Sequence, residues 1–230
     1  QAMNKKTIIT VLLVLTAITG QAQAKTFSVH GDLTTVAQTL LKQGVSFDSV
    51  TIINPATSEV VAKQPIQNGE FTINGTFENT FYADLIIWNS SEVNGERKQK
   101  SSKMPIIIES GDIEFDGNNK IAIIRGTTLN EVLYEAISKH QALDYGKILE
   151  KAIIQHKDDA VSIPLLLLLD DTLPEPKTLL TLISQLNDTI QQHPHIAKVK
   201  EKAEKRLKRT TPHHLTFSAE TPLYKRDFKG

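Results

Sequence analysis

The stretch Ile121-Ala-Ile-Ile-Arg-Gly-Thr-Thr-Leu-Asn-Glu-Val-Leu-Tyr-Glu-Ala-Ile137 decides the fold, because the hydrophobic period changes within it. It begins with the isoleucine-rich run Ile121 to Ile124, which is typical of a strand. Thr128-Leu-Asn-Glu131 then has the pattern of a capping box, in which the Thr and Glu side chains satisfy free amides at a helix start. Apolar residues follow at the i, i+3, i+4, i+7, i+8 spacing of a helix, namely Leu129, Val132, Leu133, Ala136 and Ile137. The chain is therefore predicted to change from strands to helices near residue 126.

Upstream, residues 25–126 contain many short β-rich runs separated by Gly, Asn and Asp, which predicts an antiparallel β-sandwich or small barrel. Asn68-Gly69 is a strong signal for a hairpin turn. Two segments interrupt the strands. Residues 33–43 have helical spacing and are either a short helix or a long loop, and the polar residues 89–103 are predicted to form a mobile hairpin tip.

Downstream, residues 127–209 keep the helical period. Residues 148–153 either continue the first helix or form a second one, with Gly146 between them. Further helices are predicted at 160–170, after Pro176 and from Pro194. Each has an apolar face that must be buried, so the predicted fold class is α+β, a β-sandwich or small barrel followed by a bundle of three to five helices. Residues 210–230 lose the helical period and are predicted to be extended.

The first 24 residues have the three-part pattern of a secretory signal peptide. Two extra residues precede Met3, the predicted natural start, and Asn4-Lys-Lys6 follows as a positive region. The apolar stretch Ile8 to Ile18 leads to Ala22-Gln-Ala24, after which cleavage is predicted. The protein is therefore expected to be periplasmic or secreted, with no stable membrane span after cleavage.

Composition excludes several classes of function. The 230-residue chain has no cysteine, which rules out a disulfide framework, a cysteine-ligated zinc and a thiol nucleophile within these residues. The 26 basic and 26 acidic residues balance, which argues against a nucleic-acid partner. Loss of Lys5 and Lys6 with the signal peptide leaves 24 basic residues against 26 acidic ones, a net charge of −2.

Residues with chemical potential are few. The histidine groups His193-Pro-His195 and His213-His214 lack metal-ligand spacing and are predicted to be solvated. Asp158-Asp159 and Asp170-Asp171 favour helix capping over acid–base catalysis. Trp88 can stack on a sugar ring, but its place at the end of an apolar strand predicts a core or core-edge residue. The sequence therefore assigns no catalytic, cofactor-binding or metal-ligating residue, and no cofactor.

The segment Lys198 to Arg209 carries seven basic residues against two acids. It is interpreted as a solvated helix face, with a docking face for an acidic partner as the alternative.

Five segments share a pattern with a known family: Asn68 to Phe77, Ala83 to Ile87, Met104 to Phe115, Ile124 to Asn130, and His193-Pro-His-Ile196. Together they resemble an exported Gram-negative family called domain of unknown function 4369. The resemblance covers most of residues 26–208. The long segment 32–47 departs from the family, which has a short connection there.

The resemblance implies that this region is the N-terminal module that commonly precedes a thioredoxin-like thiol:disulfide oxidoreductase domain. Leu223 to Gly230 is similar to the lead into the strand that carries the redox cysteines of that domain. The chain is therefore hypothesised to be a partial gene product, and the coding sequence beyond Gly230 tests this hypothesis.

The expected function is a non-catalytic accessory module whose partners are that thioredoxin-like domain or client proteins, with a homodimer left open. The alternative is an exported glycan- or peptide-binding protein that uses residues 89–103 or Trp88. A stand-alone enzyme is the third hypothesis. Three Asp-Ser/Thr-aliphatic segments resemble an O-glycosylation pattern of exported proteins, beginning at Asp48, Asp171 and Asp188.

Overall fold

A computed structural model describes residues 24–119 and 121–210 of the chain. The predicted signal peptide, apart from Ala24, lies outside the described residues, as does the predicted extended tail apart from Thr210. His213-His214 also lies outside them.

The described chain is α+β, with eight strands that precede a group of helices. The strands and the helix among them are β1 (Lys25–Asp32), α1 (Thr34–Leu41), β2 (Val45–Asn54), β3 (Glu59–Pro65), β4 (Glu70–Phe77), β5 (Phe81–Val93), β6 (Glu96–Ile108), β7 (Gly111–Asp116) and β8 (Ile123–Arg125). The later helices are α2 (Thr128–Ser138), α3 (Tyr145–Gln155), α4 (Ser162–Asp171), α5 (Pro176–Gln185), α6 (Asp188–Gln191) and α7 (Pro194–Thr210). The bundle therefore has five helices of ten or more residues and the four-residue α6.

The strands form two separate four-stranded sheets, which favours the sandwich over the small barrel. Sheet A has the order β4-β1-β7-β8 and sheet B the order β3-β2-β5-β6. Neighbouring strands are antiparallel except β1 and β7, which are parallel, so the prediction of an antiparallel sandwich needs this one correction. Buried side chains from both sheets share one core, including Val29, Ile73, Leu85 and Ile106.

Glycine and phenylalanine alternate across β1 and β4 and fix their register. Phe27 pairs with Gly75, and Gly31 pairs with Phe71. A Cβ atom on Gly31 would lie 2.0 Å from the Phe71 ring, and one on Gly75 would lie 2.4 Å from the Phe27 ring. Each ring therefore occupies the space that its partner's missing side chain leaves, and a shift of one residue would lose both contacts.

Both segments that interrupt the predicted strands, 33–43 and 89–103, have regular secondary structure. Residues 33–43 contain the short helix α1. Residues 89–103 belong to a hairpin, as predicted, but they pair along the long arms of β5 and β6 and are not confined to a tip. The arms remain regular because Asn94 and Gly95 have φ values of 56° and 81°, which the tight two-residue turn requires.

The helices pack on the outer face of sheet B and form a second core. Tyr82 from β5 and Ile107 from β6 belong to this second core, whereas their neighbours Ala83, Ile106 and Ile108 face the first one. Ile106, Ile107 and Ile108 are all fully buried because this end of β6 is covered on both sides. The two cores therefore share strands β5 and β6.

Asn130 joins sheet B to the bundle. Its Oδ1 accepts from the Ile107 backbone N–H at 2.9 Å, and its Nδ2 donates to the Ile107 carbonyl at 2.7 Å and to Thr127 Oγ1 at 2.9 Å. The fully buried Asn130 amide thus forms the hydrogen bonds to the Ile107 N–H and C=O that a neighbouring strand would otherwise form.

The predicted capping box at Thr128 to Glu131 is wrong. Helix α2 starts one residue earlier than that pattern needs, with Thr127 as its N-cap and no capping hydrogen bond from the Thr127 side chain. Instead Glu109, at the end of β6, accepts from the backbone N–H groups of Leu129 at 2.8 Å and Asn130 at 3.1 Å. A carboxylate also suits the positive end of the helix dipole, so this residue from the sandwich caps the first long helix of the bundle.

Candidate functional site

A cleft of about 440 Å³ lies where the turns of the sandwich meet the helices. We call it the junction cleft. Asn54, Asn79, Thr80, Phe81 and Tyr82 line it from the sandwich, and Asp158, Ile163, Asn187, Thr189, Ile190 and His193 are among the residues that line it from the bundle. A larger depression, of about 630 Å³, lies on the polar outer face of sheet A and is formed by the sandwich alone. We take the junction cleft as the candidate site because both halves of the fold build it and because it mixes aromatic with polar side chains.

Local hydrogen bonds hold two of the lining amides in place. Asn54 Oδ1 accepts from the Ala56 N–H at 2.9 Å in the turn after β2. Asn187 Oδ1 accepts from the Ile190 N–H at 2.9 Å and so caps α6, while its Nδ2 donates to the Asp158 carbonyl at 3.0 Å. These bonds fix the cleft wall before any ligand arrives, which lowers the entropy cost of binding.

A polar cluster lies behind the cleft on the outer face of sheet B. The buried Tyr82 hydroxyl donates to Asp84 Oδ1 at 2.8 Å, and Lys103 Nζ donates to Asp84 Oδ2 at 3.1 Å. Both carboxylate oxygens of Asp84, a residue only 6% exposed, therefore have partners. Burial, followed by the Asp84 hydrogen bond, raises the pKa of Tyr82, so its phenol stays protonated and remains a donor.

Two histidine rings at the start of α7 pack against Tyr82. The ring centres of His193 and His195 each lie 6.1 Å from that of Tyr82 and 5.4 Å from each other. The His195 backbone N–H donates to His193 Nδ1 at 3.3 Å, which places the proton of the neutral ring on Nε2. The prediction that this pair is solvated is wrong, because Pro194 starts α7 against sheet B and both rings become half-buried.

Burial keeps both rings uncharged at neutral pH. It lowers the pKa of His193 to about 4, with a smaller effect from His195. Burial, and then Lys198, lowers the pKa of His195, whereas Asp84 acts in the opposite direction. The groups around the Tyr82 phenol are thus two neutral imidazoles and a carboxylate already paired with Lys103. This set donates and accepts hydrogen bonds.

The other residues that the sequence singled out lie away from the cleft or at its rim. Trp88 is half-buried and follows the core residue Ile87 on β5, so it faces outward from the sandwich core and belongs to neither core cluster. Asp159 accepts from His156 Nδ1 at 2.9 Å, and Asp170 pairs with Lys202 at 2.7 Å. Of the three Asp-Ser/Thr hydroxyl residues, Thr172 and Thr189 are exposed and Ser49 is half-buried in β2.

Sequence reasoning missed Tyr82, Asp84, Lys103 and the cleft asparagines. One signal was available, because Asp84 interrupts the apolar run from Phe81 to Trp88. A carboxylate in a buried strand needs a partner, and that requirement predicts a polar cluster without saying which residues complete it. The asparagines gave no signal, because they stand singly in turns.

Among the described residues, no three side chains of the His, Asp or Glu type are grouped so that they could hold a metal ion. Within the same part of the chain, no helix is both long and apolar enough to cross a membrane. Comparison of the chain with protein-family models, curated proteins and solved structures found no match.

Proposed function

We propose that this chain is a non-catalytic interaction module of an exported protein and that the junction cleft is its binding site. The observation that carries the proposal is the composition of the cleft, which combines fixed amides, hydroxyls and the Phe81 and Tyr82 rings with an uncharged His193. Such a wall, in which Asp158 is the one acidic side chain among the described residues, suits a ligand that offers hydroxyl or amide groups and carries no negative charge.

The accessory role beside a thioredoxin-like domain is the first form of this proposal, and it depends on the family resemblance. Two of the segments that carry the resemblance, Met104 to Phe115 and Ile124 to Asn130, meet at the joint between Glu109, Thr127 and Asn130. The resemblance there lies in residues that build the fold, so it supports a shared architecture more directly than a shared ligand. A cysteine pair encoded in frame beyond Gly230 would support this role, and a stop codon directly after Gly230 would contradict it.

A glycan- or peptide-binding protein with no redox role is the second form. The half-buried Phe81 favours it, because an aromatic ring among asparagine and threonine side chains offers a stacking surface surrounded by hydrogen-bonding groups. Both forms place the ligand in the junction cleft and differ in what accompanies the module.

Binding is tested by nuclear magnetic resonance titration of residues 25–210 with neutral oligosaccharides and with short uncharged peptides. The cleft variant combines Asn79→Ala with Thr189→Ala, which removes two exposed polar groups of the wall. The control combines Thr72→Ala with Asn74→Ala, which removes two exposed polar groups on β4.

We expect one probe class to shift the resonances of cleft residues, and we expect the cleft variant to bind it about tenfold more weakly. Equal binding by the cleft variant and the control variant would overturn the proposal, as would a panel in which no probe shifts the cleft resonances.

A further inference from the structure

Strand β6 lies at the edge of sheet B, and one side of its backbone faces away from β5. Val93 and Glu96 flank the two-residue turn and form the closing pair of the hairpin. In a two-residue hairpin, this closing pair exchanges both backbone hydrogen bonds, and successive pairs then alternate. The register between β5 and β6 has no irregularity. The backbone N–H and C=O groups of Arg97, Gln99, Ser101 and Lys103 therefore point away from β5.

Contacts at the far end of β6 independently support this assignment. Ile107 belongs to the same alternating set, and it is the residue whose N–H and C=O are bound by the Asn130 side chain. Pro105 also belongs to the set, and proline is tolerated there because the position needs no N–H for the ladder. The edge is thus closed at Pro105 and Ile107. It is open along residues 97–103, where four residues direct their backbone N–H and C=O groups outward.

The open edge is basic on both faces. On the outer face, Arg97 pairs with Asp48 at 2.8 Å and Lys103 pairs with Asp84 at 3.1 Å. Lys98 and Lys100 lie on the opposite face, that of Met104 and Ile106, because side chains alternate along a strand. Both lysines are exposed, and neither forms an ion pair within residues 24–119 and 121–210.

We propose that residues 97–103 of β6 bind an extended acidic peptide segment as an added strand. The outward N–H and C=O groups of these four residues supply the backbone hydrogen bonds to such a strand. Lys98 and Lys100 are separated by one residue, so they select carboxylates at alternate positions of the peptide. The same lysines disfavour a second copy of this chain at the edge, since two basic edges repel each other. The occupant is therefore an acidic partner segment.

The probe is an acetylated and amidated peptide of about eight residues that alternates Glu with Thr or Val. A peptide of the same composition with its acids in one block, and one with Lys in place of Glu, are the peptide controls. Binding is followed by residue-resolved amide hydrogen exchange and by titration at two salt concentrations.

Three variants separate the backbone and charge contributions. Ser101→Pro removes one outward N–H and leaves the β5–β6 ladder intact, as Pro105 already does. Lys98→Glu with Lys100→Glu reverses the two free charges. Lys200→Glu with Lys208→Glu makes the same charge change on the exposed surface of α7 and is the matched control.

We expect the alternating peptide to slow exchange at residues 97, 99, 101 and 103 and to leave residues 98, 100 and 102 unchanged. Ser101→Pro should weaken binding about five- to tenfold, the Lys98 and Lys100 reversal should weaken it more, and added salt should weaken it as well. The proposal is overturned if the alternating peptide does not bind, if exchange at the four residues is unchanged, or if the α7 variant loses binding instead. These outcomes do not depend on the junction cleft.

Discussion

At the residue scale, His193 illustrates how packing sets the charge of a side chain. The sequence around it, Gln191-Gln-His-Pro-His195, gives no sign of burial, but its ring lies against Tyr82 and His195 and is half-buried. Burial is the main cause that lowers its pKa to about 4, because a charged ring would lose its hydration there. His193 is therefore neutral at the pH at which a free histidine begins to take up a proton.

This shift predicts a pH dependence of stability. The unfolded chain protonates His193 near its ordinary pKa of about 6.5, and the folded chain does so only near pH 4. The unfolded state binds more protons between these values, so the contribution of His193 is fully present above pH 6.5 and is lost as the pH falls to 4. We expect wild type to lose on the order of 1 kcal/mol more unfolding free energy than His193→Gln between pH 7 and 4.5, measured by urea unfolding. Parallel profiles for the two proteins would contradict this expectation.

At the element scale, the joint between β6 and α2 depends on two polar side chains. Asn130 satisfies the backbone of Ile107, and Glu109 caps α2. Gly126, just before the joint, has φ 93°, and a Cβ atom there would lie 2.4 Å from the Asp112 carbonyl oxygen. A strand, a turn and a helix start are thus fixed by residues that are distant in sequence.

Two substitutions at the joint distinguish the contribution of Asn130 to stability from that of Glu109. Asn130→Leu keeps the volume but leaves the buried N–H and C=O of Ile107 without partners, so we expect it to cost about 3 kcal/mol of unfolding free energy. Glu109→Gln keeps an acceptor for the helix amides and loses only the charge, so about 0.5–1 kcal/mol is expected. Urea unfolding of both variants measures the difference, and an equal cost for the two would contradict this account of the joint.

At the scale of the whole molecule, strands β5 and β6 belong to both cores. Ile106 packs between the sheets, and its neighbour Ile107 packs against the helices. Neither core can lose its packing without exposing one face of these two strands. The sandwich and the bundle are therefore expected to unfold together.

This coupling predicts one unfolding transition. Ile106→Ala and Ile107→Ala should each lower the unfolding free energy by about 2–5 kcal/mol, because each leaves a cavity in a fully buried site. Trp88 fluorescence reports on sheet B and far-ultraviolet circular dichroism reports mainly on the helices. The two signals should change at the same urea concentration in wild type and in both variants. A separate helical transition in Ile107→Ala would show that the halves unfold independently.

Periodicity predicted the fold class well, but it predicted the site poorly. The change near residue 126, the Asn68-Gly69 turn and the prolines at 164, 176 and 194 are local signals, and the elements they mark are present. Asn94-Gly95 carries the same kind of turn signal as Asn68-Gly69, and a hairpin tip was predicted there, but the polar residues around it gave no sign that both strands continue through residues 89–103. The capping box failed because the competing carboxylate of Glu109 comes from another element, 20 residues earlier than Leu129.

The sequence by itself determined the α+β class, the strands that precede the helical bundle, and the lack of cysteine within these residues, since each of these depends on composition or on contacts a few residues apart. Only the tertiary structure decided that β1 and β7 are parallel and that His193 is half-buried. It also decided that Tyr82 and Asp84 meet Lys103, and that β6 is open along residues 97–103. These features depend on which strands become neighbours and which face the helices cover. Packing of distant segments sets both, and no local pattern encodes it.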